Sequence, residues 1–173
     1  MSWAFTANYG MPINCEQAKK PITWPPQTFF RGRSKQYIAD LFIKKIEWEE
    51  TANDAVTAFR ITLSDGQTSP KIGVAGADLN KSVSLGGINA IRGLIVTSTP
   101  TTIIQIELID QNKETFATIG KVTAKQAEQT RQRLKLKAIE RLIGLQAVEA
   151  KPPQGSSIAP FAGLKFLILS YKP

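Results

Sequence analysis

The chain contains no histidine and a single cysteine, Cys15. Without imidazole there is no Ser-His-Asp or Cys-His machinery and no histidine general base. One thiol cannot assemble a structural zinc site, and it cannot form an internal disulfide. A lone cysteine fits a reducing compartment. No apolar run is long enough to cross a bilayer as a helix. Met1 to Gly10 has neither a basic nor an apolar signal region. The first basic residue, Lys19, follows Glu16, which disfavours a mitochondrial presequence. The expected location is therefore intracellular, cytoplasmic or cytoskeletal, with a mitochondrial one as the alternative. Gly73 to Ser82 lacks the glycine that a phosphate-binding loop needs before Lys81-Ser82, since Asn80 stands there. No cofactor and no metal is expected, and the chain reads as non-enzymatic.

What is present is repetition. Ile43-x-x-Ile46, Ile91-x-x-Leu94 and Ile139-x-x-Leu142 begin 48 residues apart. Phe59-x-Ile61-x-Leu63-x-Asp65 is echoed 45 residues on by Ile104-x-Ile106-x-Leu108-x-Asp110, and each phrase runs on to an Ile-Gly pair, Ile72-Gly73 and Ile119-Gly120. Leu164-x-Phe166-x-Ile168 completes a third copy after a longer loop. A fixed period marks one supersecondary unit used several times. Alternation in these phrases is that of half-buried strands, and Asp65-Gly66 is a hairpin signal. Each copy has room for about four short strands, the size of a Greek-key unit.

Thr123 to Ile143 allows two readings. Ala124 to Arg133 is rich in helix formers, with Thr123 placed to cap, which gives an α+β alternative with a helix at about 123–143. Leu134, Leu136 and Ala138 alternate with Arg133, Lys135 and Lys137 as in a strand, and the all-β reading is preferred.

Residues 1–36 differ from the remainder and read as an extended Pro/aromatic-rich arm on a domain spanning 37–173. They hold six of the fourteen aromatics (Trp3, Phe5, Tyr9, Trp24, Phe29 and Phe30) without strand or helix periodicity. An arm of this kind cannot bury its own aromatics, so it must lie on its parent domain or on a neighbour. Both remain open. Net charge is +8, concentrated in Glu16–Lys45 and Lys121–Arg141, each with seven basic residues against two acids. A basic surface either aids solubility or meets an acidic partner. Arg31 and Arg33 beside Phe29 and Phe30 complete the candidate partner-binding set. Glu47, Glu49 and Glu50 read as a solvated strand face rather than a hydrolytic carboxylate pair.

Phe59 to Gly73, with its strand, Asp-Gly turn and Ile-Gly ending, is similar to the repeated unit of the jacalin-like lectins. Glu140-Arg141-Leu142-Ile143-Gly144-Leu145-Gln146-Ala147, followed by Gly155-Ser156-Ser157-Ile158 and Leu164 to Leu167, resembles that family's final repeat. The resemblance implies a β-prism of three Greek-key four-stranded sheets. It also implies a sugar-binding Gly-x-x-x-Asp loop, which here reads Gly155-Ser156-Ser157-Ile158-Ala159, with alanine in place of the carboxylate. Losing one charge-assisted hydrogen bond removes on the order of 1.5–3 kcal/mol. Gly86, Gly87, Gly155, Ser156 and Ser157 are the carbohydrate candidates that follow. The leading functional reading is a structural or interaction module docked in a larger assembly of proteins with acidic surfaces, which a cytoskeletal or ciliary lattice would suit. A glycan-binding lectin and a basic RNA-associated subunit are the alternatives. Nothing supports sequence-specific nucleic-acid readout, because Arg131 to Arg141 carries no aromatic.

Overall fold

The computed structural model describes residues 2–10, 21–50, 56, 58–73, 78–99, 102–122, 129–149 and 161–170. Three strands lie in the N-terminal stretch: β1 (Ser2–Phe5), β2 (Tyr9–Gly10) and β3 (Ile22–Trp24). A 3-10 turn, Gln27–Phe30, and a short helix α1 (Lys35–Ala39) lead to β4 (Ile43–Trp48), β5 (Ala58–Leu63), β6 (Ile72–Gly73) and β7 (Lys81–Ser84). The next four are β8 (Gly93–Ser98), β9 (Ile103–Ile109), β10 (Thr115–Gly120) and β11 (Thr130–Lys135). Two ten-residue strands follow, β12 (Glu140–Glu149) and β13 (Phe161–Ser170).

These strands form three antiparallel sheets. Sheet I has the order β6-β5-β4-β7 and sheet II the order β10-β9-β8-β11. Both are the same Greek key, with the fourth strand returning beside the first. Sheet III has β12 and β13 at its centre, β3 outside β12, and β1 and β2 outside β13. The all-β prism is thus as expected, with one correction to its make-up. The third unit does not draw four strands from the C-terminal copy. It takes two from there and the others from residues 2–24, because both edges of the β12–β13 pair need backbone partners. Of the two placements open to the arm, its described parts take the parent domain. The expected boundary at residue 36 falls within α1, and sheet III draws strands from both sides of it.

The repeated phrases now have physical causes. Phe59, Ile61 and Leu63 on β5, and Ile106 and Leu108 on β9, project into the shared core while Arg60, Gln105 and Glu107 do not; Ile104 is buried outside that cluster, where the β8–β9 register shifts. The two acidic turns are built alike. Asp65 accepts from the Gln67 amide at 3.0 Å, and Asp110 accepts from Asn112 at 2.8 Å and Glu114 at 3.1 Å. In each Ile-Gly pair the isoleucine is buried and the glycine takes a left-handed φ, +118° at Gly73 and +86° at Gly120. A Cβ at Gly120 would also collide with the Ile104 carbonyl oxygen. The third phrase departs from the other two, since Ile139 is exposed in the turn before β12 while Leu142 is buried.

The helix alternative is contradicted over 129–143. Thr130 to Lys135 pairs with β8 from Ser98 to Gly93, and Glu140 opens β12. Helix propensity in this segment is worth tenths of a kcal/mol per residue, and a ladder of backbone hydrogen bonds outweighs it. Residues 123–128 lie outside the described ones.

Two arginines close one end of the prism. Arg92 donates to the carbonyls of Glu140 (2.9 Å), Leu136 (3.3 Å) and Lys137 (2.5 Å). Arg141 donates to the carbonyls of Ala39 and, at 2.8 Å, Leu41. Burial lowers the Arg141 pKa from its ordinary value, with the nearby Arg92 charge adding to the effect. Part of the basic charge is therefore spent on internal carbonyls. Gly120→Ala is expected to cost about 2–3 kcal/mol in chemical denaturation, from a strained φ and a backbone collision. Gly87→Ala, with open space around it, is expected to cost almost nothing.

Candidate functional site: an aromatic groove on sheet III

The outer face of sheet III is unusual in being apolar. Leu167 and Leu169 point away from the prism axis yet are 3% and 0% exposed. The N-terminal segments cover them. On one side β1 sets Trp3 opposite Leu169 and Phe5 opposite Leu167. On the other, β3 sets Thr23 opposite Gln146 and Trp24 opposite Leu145. The chain then crosses the face through Pro25 and Pro26 into the 3-10 turn, in which the Phe29 amide donates to the Pro26 carbonyl at 2.9 Å. Gly144 permits this approach, because a Cβ there would collide with the Trp24 carbonyl and the Pro25 ring. Phe30 returns to stack on Trp3, with ring centroids 4.5 Å apart and planes at 21°.

Between these walls lies a groove of about 510 Å³ lined by Trp3, Phe5, Thr23, Pro25, Phe30 and Gln146. Trp3 and Phe5 remain 40% and 43% exposed, so each presents aromatic surface to solvent. The polar part of the lining is the Gln146 amide, which donates to the Thr23 hydroxyl at 2.9 Å. That bond fixes both side chains and leaves the Gln146 carbonyl to accept and the Thr23 hydroxyl to donate. Flat apolar walls with a few oriented polar groups suit a ligand having an apolar face and a hydroxyl edge.

The predicted partner-binding residues divide. Trp3, Phe5 and Phe30 line the groove. Phe29 is buried against Phe30 (5.2 Å, edge-on) beneath the Arg33 guanidinium, which sits 4.1 Å from its centroid and donates to its carbonyl. Arg31 is exposed beside them. Tyr9 and Trp24 belong to the core, with Tyr9 edge-on to Phe166 at 5.2 Å. Burial raises the Tyr9 pKa above its ordinary value. Thr23, Pro25 and Gln146 escaped sequence reasoning, although Ile22-Thr23-Trp24 alternates as a strand does.

Of the carbohydrate candidates, Gly86 and Gly87 lie among the described residues. Gly87 lies with Phe42, Arg141 and Leu142 at the start of β12, and Gly86 adjoins it. Gly155, Ser156 and Ser157 lie outside the described residues. The three glutamates of β4 and its exit have structural partners. Glu47 receives Arg60 on the facing strand at 3.1 and 2.9 Å, Glu49 accepts from the Asp78 amide at 2.7 Å, and Glu50 pairs with Lys121 at 3.3 Å. Among the described residues no group of His, Cys, Asp and Glu could hold a metal ion, and no helix is long and apolar enough to cross a membrane.

No protein-family model matches the chain, and no curated protein does. Solved structures do. Calystegia sepium agglutinin superposes with a TM-score of 0.60 at 9% identity, over 97% of this chain and 97% of that one. The second β-prism domain of RbmC from V. cholerae gives 0.54 at 13% identity, over 96% and 98% of the two chains. The fold is the β-prism of the jacalin-like lectins. A prostate-specific WGA16 glycoprotein lectin shares it with a TM-score of 0.57 at 14% identity, over 75% of this chain and 83% of that one. In the V. cholerae biofilm matrix protein Bap1 and in PirB, this β-prism chain spans only 23% and 39% of the matched chain.

Two outcomes test this description. Trp24→Ala is expected to lose about 3–5 kcal/mol of stability, whereas Trp3→Ala, half exposed, should lose about 1 kcal/mol. Chemical denaturation of both variants measures the contrast. The Arg60 hydrogen bonds hold Glu47 below the ordinary carboxyl value of 4.5 despite an opposing effect of burial, with the Arg60 and Lys45 charges contributing. A lowered native pKa stabilises above that ordinary value, and the effect fades as pH falls through the native one. Arg60 is 37% exposed, so the pair should contribute under about 1 kcal/mol at neutral pH. Arg60→Gln should therefore be less stable than the parent near pH 7, with the difference shrinking below pH 4.5 in denaturant titrations.

Proposed function

We propose that this chain is a non-catalytic recognition module that binds carbohydrate in the groove on the outer face of sheet III. The observation that carries the reading is the pairing of exposed Trp3 and Phe5 walls with the oriented Gln146–Thr23 pair. A pyranose ring presents a C–H face to an aromatic and hydroxyls to the amide and the threonine. Two of the proteins that share the fold, an agglutinin and a lectin, lend support. The loop with Ala159 in place of aspartate takes no part in this reading.

Binding to a panel of neutral glycans, measured by array and calorimetry, is expected at about millimolar strength or tighter. Trp3→Ala and Gln146→Ala should each weaken it about tenfold or more while the protein stays folded. A silent array, or binding indifferent to both substitutions, would refute the proposal.

The second reading is docking into a larger protein assembly through the same aromatics. It is favoured by the exposure of Trp3 and Phe5 beside Arg31 on a chain of net charge +8. A cytoskeletal or ciliary lattice with acidic surfaces is an assembly of this kind. Under this reading Trp3→Ala abolishes co-purification with protein from native extract, and no glycan competes.

A further inference from the structure

A second concavity, of about 500 Å³, lies at the end of sheet II that carries the Asp110 turn. Gly93 on β8 has no side chain and leaves the floor open between Ile109 and Leu134. Register places Lys135 opposite Gly93, and Arg133 opposite Ile95, on the same outward face of β11. Two residues apart on one strand, their stems stand about 7 Å from each other. Lys113, held at φ +64° in the turn, and Arg92 line the same hollow. Arg92 is locked by its three carbonyl acceptors, which orient it without cancelling its charge.

Four cations therefore surround one hollow, and the single carboxylate in its lining is Asp110. That carboxylate already accepts the amides of Asn112 and Glu114. Among the described residues no carboxylate pairs with Arg92, Lys113, Arg133 or Lys135. The contrast with Arg131 on the same strand is instructive, since its guanidinium meets Glu107 at 3.0 Å. Convergent cations over a partly apolar floor lower the energy of an anion that brings an uncharged body with it.

We infer that this hollow is a binding site for a small ligand carrying sulfate or phosphate ester groups, separate from the groove on sheet III. The ester oxygens meet Arg133, Lys135 and Lys113, and the body of the ligand lies over Gly93 and Ile109. The site does not depend on carbohydrate binding in the groove.

Calorimetric titration of the full chain with a trisulfated disaccharide, and separately with inorganic pyrophosphate, tests this at low and at physiological salt. Binding of either probe is expected, weakened about tenfold or more by the pair Arg133→Gln and Lys135→Gln. The control pair Lys44→Gln and Lys81→Gln removes the same charge from exposed positions on sheet I and should change affinity less than twofold. The disaccharide alone would identify a sulfated glycan as the source of the oxyanion, and pyrophosphate alone a phosphate compound; either supports the site. Absence of binding by both probes, or equal weakening by the two variant pairs, would overturn it. So would loss of this binding in Trp3→Ala. Retained binding in a protein whose groove takes no glycan would leave this inference standing and remove only the groove reading.

Discussion

Pairing of the N-terminal strands with β12 and β13 is the constraint on which the rest depends. Two ten-residue strands that are apolar on both faces expose unpaired amides and carbonyls at both edges and uncovered leucines on the outside. Residues 2–10 and 21–30 satisfy both needs, with β1, β2 and β3 taking the backbone groups and β1 setting Trp3 beside Leu169 and Phe5 beside Leu167. An unsatisfied buried backbone group costs about 1–3 kcal/mol, so several ladder bonds decide where an otherwise aperiodic segment lies. The groove is a by-product of that closure. Its walls come from the covering segments and its floor from the strands they cover.

Charge is divided between two tasks. Arg92 and Arg141 turn inward and hold carbonyls where the three sheets meet, while Arg60 and Arg131 are paired across strands with glutamates. Arg133, Lys135 and Lys113 project around one hollow on sheet II, away from the aromatic groove on sheet III. A β-prism separates its outer faces by construction, so an aromatic surface and a cationic one coexist on it without screening each other.

The periodic parts of the chain were legible because periodicity reports burial directly. Strands β5 and β9, their acidic turns and their Ile-Gly endings repeat because each meets the same packing and the same left-handed backbone. Residues 2–10 and 21–30 were not legible in that way. Their neighbours lie more than a hundred residues away, and a strand that joins a sheet from such a distance carries little local signal. Ile139 misled for a related reason, since it copies a spacing but sits in a turn.

Amino-acid order by itself determined the β class, the threefold unit, the exclusion of imidazole chemistry and of an internal disulfide, and the wealth of aromatics near the start. Local alternation, turn chemistry and composition suffice for these, as they act between near neighbours. Tertiary structure alone decided which aromatics are core and which line a surface, that Gln146 meets Thr23, and that Gly93 opens a hollow beneath Arg133 and Lys135. Those outcomes depend on strand register across the sheets, and register is set by the collective packing of residues far apart in the chain.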